Sequence, residues 1–167
     1  MDIDSIVTAI HDLPLSGYIR GELPGTVWVF PIVETIHILC LVMVFGTIAM
    51  VDLRLLGLLG REVPFTKIYR ELIPLTWWAF AGAVLSGTIL ATGKIADYVH
   101  SPQFVFKFVL MAAAGVNMAL FHAGAYRQVA SWDKATPPPS RARLAGALSL
   151  VFWIGVIFSG RWVGFVT

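Results

Sequence analysis

The chain has 167 residues, 57% of them hydrophobic and 13% charged, with a mean hydropathy of +0.79. A soluble domain carries roughly 25% charged residues, and a compact soluble fold cannot hide this much apolar surface, so the solvent it faces has to be lipid. Water-soluble enzymes and nucleic-acid binders are excluded on that ground, and a net charge of +2 is too small a bias for a polyanion partner.

At the N-terminus, Ile3, Ile6, Val7, Ile10 and Leu13 recur at helical spacing, with Asp2, Asp4, Thr8 and Asp12 on other faces. The pattern predicts a short amphipathic helix over about 3–13, lying on the membrane surface and ended by Pro14. Asp2 and Asp4 stand where a signal peptide would be basic, so insertion is expected to start from a retained span.

Four runs free of Asp, Glu, Lys and Arg follow: 35–51, 72–93, 108–126 and 144–160. With flanking apolar and aromatic residues each reaches the roughly 20 residues that cross a ~30 Å hydrocarbon core as a helix. The expected fold is all-α: a four-transmembrane-helix up-down bundle, with spans near 27–57, 72–94, 103–129 and 143–166, in a single membrane domain over 1–167. Trp28, Trp77, Trp78, Tyr98, Tyr126 and Trp162 fall near the ends of these spans, as interfacial aromatics do.

The loops after spans one and three hold Arg54, Arg61, Lys67, Arg70, Arg127, Lys134, Arg141 and Arg143, against Arg20, Lys94, Lys107 and Arg161 on the other side. Basic residues favour the cytoplasm, so both termini are expected to face the periplasm of a bacterial inner membrane. The single cysteine, Cys40, lies in an apolar run and reads as a packing residue.

Polar residues within a span are costly and need an explanation. Glu34 and His37 share a face of span one at i and i+3. Lys107 and Arg161 fall at a similar height on spans three and four, so these four residues can form one polar cluster, with both cations suited to carboxylates such as haem propionates. His122 lies deep in span three beside Gly115, Met118, Ala119 and Ala123, where a flat group can approach the backbone. Span two lacks ionisable residues and reads as a packing helix, with Gly82, Ser86 and Gly87 allowing close approach.

Two membrane histidines on different helices suggest a b-type haem with His37 and His122 as iron ligands. Spans one and three run parallel, however, and place the two rings on the order of 15 Å apart along the membrane normal. Each histidine then needs another ligand, and Met111 stands at a suitable height for the outer one. A competing di-metal site built on the E-x-x-H unit of Glu34 and His37 lacks the further carboxylates such a site requires, and copper handling through Met, His and Cys40 is chemically allowed without a supporting cluster.

The stretches ETIHILCLVMVFGTIAMVDLRLLG (Glu34 to Gly57), FVFKFVLMAAAGVNMALFH (Phe104 to His122) and SGRWVGF (Ser159 to Phe165) resemble an uncharacterised bacterial four-span membrane protein family. That family is distantly similar to four-helix b-type cytochromes and copper-resistance-type membrane domains. The resemblance singles out His37, Asp52, Arg54, Lys107, His122 and Arg161, with Asp52 and Arg54 expected to form an ion pair at the end of span one.

Together these features point to a haem b-binding electron-transfer protein that works with a quinone and a membrane or periplasmic protein partner, with no nucleic acid and no bond-making catalysis implied. Self-association is a further expectation. A cofactor-free accessory subunit of a larger membrane complex, and a path for copper or a small solute, are the competing functions.

Overall fold

A computed structural model describes residues 2–135 and 137–166, with side chains described at all of these except 3 and 163–166; the ends of the expected domain at Met1 and Thr167, and the side chain of Ile3, lie outside what is described. The described residues are helical and form no strand. Four helices are long and apolar enough to cross a membrane. They are α3 (Val29–Leu55), α4 (Phe65–Gly93), α6 (Pro102–Ala123) and α8 (Ser140–Val166), and the short α1 (Ile3–His11), α2 (Pro14–Arg20), α5 (Ile95–Val99) and α7 (Val129–Trp132) complete the chain.

Each boundary has a local cause. Pro64 is extended, and α4 begins directly after it, about two turns before the uncharged run because its first turns carry Lys67, Arg70 and Glu71 on an exposed or half-exposed face. Ahead of Pro64 the chain turns through Gly57 and Gly60, both at positive φ, where a side chain would be strained. At the other end of the bundle, Pro102 opens α6 in the first-turn position that needs no N–H. The third transmembrane helix breaks at Gly124 into a 3-10 turn over Ala125–Gln128 before α7.

Helix packing runs in the order α4, α3, α8, α6. The α3–α4 seam is tight because its glycines let side chains cross close to the backbone. A methyl group on Gly82 would lie 2.8 Å from the Cys40 sulfur, and one on Gly87 would lie 2.9 Å from Cε1 of His37. Cys40 is a packing residue in this seam. The seam also carries a buried contact between the Thr76 and Thr47 hydroxyls at 2.8 Å, each hydroxyl also lying against a carbonyl of its own helix.

The outer members of the series, α4 and α6, meet at the end of the bundle beside the loops. There Val51, Leu55, Phe65, Phe121, Trp132, Ala142 and Ala145 form the buried core. Phe65 is fully buried, its ring within 5.2–6.5 Å of those of Tyr69, Phe121, Tyr126 and Trp132, tilted and edge-on contacts worth about 0.5–1.5 kcal/mol each beyond area burial.

The opposite end is covered by the N-terminal arm. Ile19 of α2 packs onto Gly93, Ser16 donates to the carbonyl of Thr92 at 2.7 Å, and Arg20 reaches Glu22, Ser16 and the carbonyl of His11. The helix expected over 3–13 thus ends at His11 and continues into a second short helix docked on α4.

Candidate functional site

Between the helices lies a cavity of about 210 Å³, open along part of its length. Its walls come from Val44 to Leu55 on α3, Tyr69 to Phe80 on α4 and Met111 to His122 on α6, with Ala145, Ser149 and Trp153 from α8. Each of the first three stretches rises through eleven residues, so the cavity is a slot about 16 Å long. One end is closed by Tyr69 against His122, the other by Phe80 against Trp153 with ring centroids 6.5 Å apart. The walls are largely apolar, and the polar lining groups are Asp52, Tyr69, Thr76, Asn117, His122 and Ser149.

His122 is held on both sides. Its Nδ1 lies 2.7 Å from the carbonyl of Met118 and must donate to it, so Nε2 accepts from the Tyr69 hydroxyl at 2.6 Å. The tautomer is therefore fixed by its partners. Across the slot Asp52 is 5% exposed; the Ser149 hydroxyl hydrogen-bonds its carboxyl, whose Oδ2 has no partner among the described residues. Asn117 ties α6 to α8 by donating to the carbonyl of Ala145 at 2.9 Å. Gly115 has open space where a Cβ would stand, which leaves the α6 backbone bare toward the slot.

Asp52 and Arg54 do not form the expected ion pair. Two residues apart on a helix, their side chains leave in different directions. Arg54 is fully buried among the loops, where Nε donates to the carbonyl of Val63 and Nη2 to that of Asp133, both at 3.1 Å, while Nη1 has no partner among the described residues. Asp133 in turn caps α4 from 67 residues away, its two oxygens taking the Thr66 N–H at 2.8 Å and the Thr66 hydroxyl at 2.9 Å. Arg54 is thus a staple joining α3, the first loop and the segment after α6.

The residues expected to cluster at the other end are only loosely associated. His37 donates from Nδ1 to Ser86 at 3.0 Å, because the Ser86 hydroxyl itself is spent on the carbonyl of Gly82. Glu34 and Lys107 are both near enough to act electrostatically on the His37 ring. Among the described residues, however, Glu34 and Lys107 make no ion pair. The Lys107 side chain crosses Gly160, with Nζ 3.6 Å from where a Cβ would be, and Arg161 borders a lipid-side groove with Phe45, Ile154, Ile157 and Phe158. On the short α5, burial and then the nearby carboxylates of Glu34 and Asp97 hold the Tyr98 phenol above its ordinary range.

The two histidines are further apart than the sequence suggests. On α4 their partners are Tyr69 and Ser86, seventeen residues apart, which is about 25 Å of helix. Counting from helix starts understates the gap because α3 and α6 do not begin at the same height. Met111 and His122 both line the slot, but at its opposite ends. No group of three or more His, Cys, Asp or Glu comes together among the described residues.

A family model matches residues 11–166, which takes in all four spans. The chain belongs to DUF6644, a family of unknown function. The DUF6644 match fits the resemblance to an uncharacterised family; the more distant likeness to b-type cytochromes and copper-resistance domains finds no support. No curated protein and no solved structure matches the chain. Within this DUF6644 chain, sequence reasoning found Asp52, Met111 and His122 of the slot and missed Tyr69, Ser149 and Trp153. Tyr69 lies outside the uncharged run that marks span two, and Trp77 lines the slot while remaining 54% exposed, whereas Trp78 beside it is 79% exposed.

Proposed function

We propose that this protein is a quinone-binding membrane subunit, with the slot as its binding site. The observation that carries the reading is the slot's polarity: apolar and aromatic over most of its length, with Tyr69, His122 and Asp52 gathered at one end. An isoprenoid quinone has that same division, a ring with oxygen substituents on an apolar tail, and a few placed polar groups in an apolar cleft are what orients such a ligand. The phenolic oxygen of Tyr69, held in place by His122, supplies an accepting atom for a ring hydroxyl, and the bare backbone at Gly115 gives a flat ring room. Electron exchange with a membrane or periplasmic protein partner follows from this reading, as does a bacterial inner-membrane location with the Arg54 end toward the cytoplasm, which the concentration of basic residues at that end supports.

The test is solvent extraction of detergent-purified protein with mass spectrometry of the extract, followed by titration of a short-chain benzoquinone against tryptophan fluorescence, since Trp77 and Trp153 line the slot. Co-purified quinone, and quenching weakened in Tyr69→Phe and His122→Ala, is the expected result. Absence of both overturns the reading.

A b-type haem is the second reading, favoured by one observation: the donation from Nδ1 of His122 to Met118, which is how a ligating histidine is oriented. In the structure Nε2 is taken by Tyr69, and His37 stands about 25 Å away, so iron at His122 needs Tyr69 to leave. A Soret band that disappears in His122→Ala establishes haem; no band in protein purified from haem-replete cells removes it.

A further inference from the structure

Asp52 is the one acidic residue lining the slot. Its Oδ2 is closed to water and has no hydrogen-bond partner among the described residues. The obvious cation does not serve it, because Arg54 turns into the loops and gives its N–H groups to the carbonyls of Val63 and Asp133. On the α8 side Gly146 packs against the Asp52 main chain, where a methyl on it would stand 3.0 Å from the carbonyl oxygen, and Ser149 is the group that meets the carboxyl there. A buried carboxyl oxygen with neither water nor a protein donor is missing a partner, and the slot is the adjoining space from which one can come. The last torsion of an aspartate is soft, so either oxygen can be turned to the slot wall without moving the backbone.

Resting on the quinone reading above, we infer that Asp52 accepts a hydrogen bond from a ring hydroxyl of the ligand, so that the slot selects the reduced hydroquinone over the oxidised quinone. The chemistry is one-sided. A quinone ring offers carbonyl oxygens, which only accept, whereas a hydroquinone offers two O–H donors. Facing it at this end are two accepting atoms, the unpartnered carboxyl oxygen of Asp52 on one wall and the phenolic oxygen of Tyr69, whose own proton is given to His122.

The experiment compares the same short-chain benzoquinone in its oxidised and reduced forms against full-length protein in detergent, read by tryptophan fluorescence. Wild type is expected to bind the hydroquinone about fivefold more tightly, the worth of one ordinary hydrogen bond. Asp52→Asn, nearly the same in shape but carrying a donor, is expected to abolish or invert the preference, and Asp52→Leu to abolish it. Equal binding of the two forms by wild type, or a preference that survives in Asp52→Asn, overturns the inference and leaves the quinone reading standing. If neither form binds, the quinone reading itself falls. Should Asp52→Leu fail to fold, wild type and Asp52→Asn decide the matter alone.

Discussion

The two ends of the bundle solve the problem of polar groups in a membrane differently. At the loop end most polar groups are locked: Arg54 is fully buried and bridges two carbonyls, Asp133 caps α4, and both ring nitrogens of His122 are engaged, while Arg54 Nη1 and Asp52 Oδ2 are left without a partner among the described residues. At the other end Glu34, His37 and Lys107 sense one another without closing into ion pairs, and the cover is supplied by the N-terminal arm. The difference teaches where a site can be built. A preorganised polar constellation needs a rigid surround, and here the rigid end is also the end at which the slot carries its polar groups.

The strongest way to break this contrast is Arg54→Ala. It leaves the carbonyls of Val63 and Asp133 without their donor and opens a void in the core, and we expect a loss of about 3–5 kcal/mol, the combined scale of two buried carbonyls left unpaired and a cavity. Thermal unfolding in detergent checks it, with Arg54→Lys intermediate because an ammonium cannot reproduce the fork. Next comes the α3–α4 seam. Gly87→Ala drives a methyl into the His37 ring and is expected to cost about 1–3 kcal/mol by overpacking, whereas Gly115→Ala, facing open space, stays within about 0.5 kcal/mol while reducing ligand binding. Equal destabilisation by the two substitutions would remove the distinction between seam and slot.

Asp133→Ala removes a cap supplied from a distant segment and is expected to cost about 1–2 kcal/mol. Hydrogen exchange should then rise at the start of α4 and leave the N-terminal arm unchanged. The smallest effect belongs to that arm. The hydrogen bond from Arg20 holds the Glu22 carboxyl below its ordinary value of 4.5, so the pair contributes above that pH and its contribution is lost as the pH falls through the lower folded value. Lower protection over residues 14–22 at pH 3 than at pH 6, each exchange rate being divided by the intrinsic rate at that pH, with protection in α4 and α6 unchanged, is the expected outcome; a uniform loss of protection across the chain would show that the arm is not the part responding.

How much was legible in the sequence depends on the range of the interaction. The four spans could be read because lipid demands long apolar helices, and Gly82 and Gly87 could be read as close-packing positions because small residues at a helix seam have few other uses. Asp52 and Arg54 stand out in the sequence and both are buried, but their adjacency suggests a pair that does not form: Asp52 meets Ser149 on α8, and Arg54 donates to carbonyls on two different loops. Tyr69 was hidden because it lies among Lys67, Arg70 and Glu71, whose charges end the apolar run before the helix itself ends.

The amino-acid sequence by itself determined the solvent, the number of spans and the set of polar residues that enter them, since each follows from the cost of exposing apolar or polar groups to the wrong medium. Only the tertiary structure decided which of those residues share a site. Helix stagger sets heights along the membrane normal, so His37 and His122 end up about 25 Å apart. Packing α4 and α6 on opposite flanks of α3 and α8 leaves a slot between them, with Asp52, Tyr69 and His122 at one end.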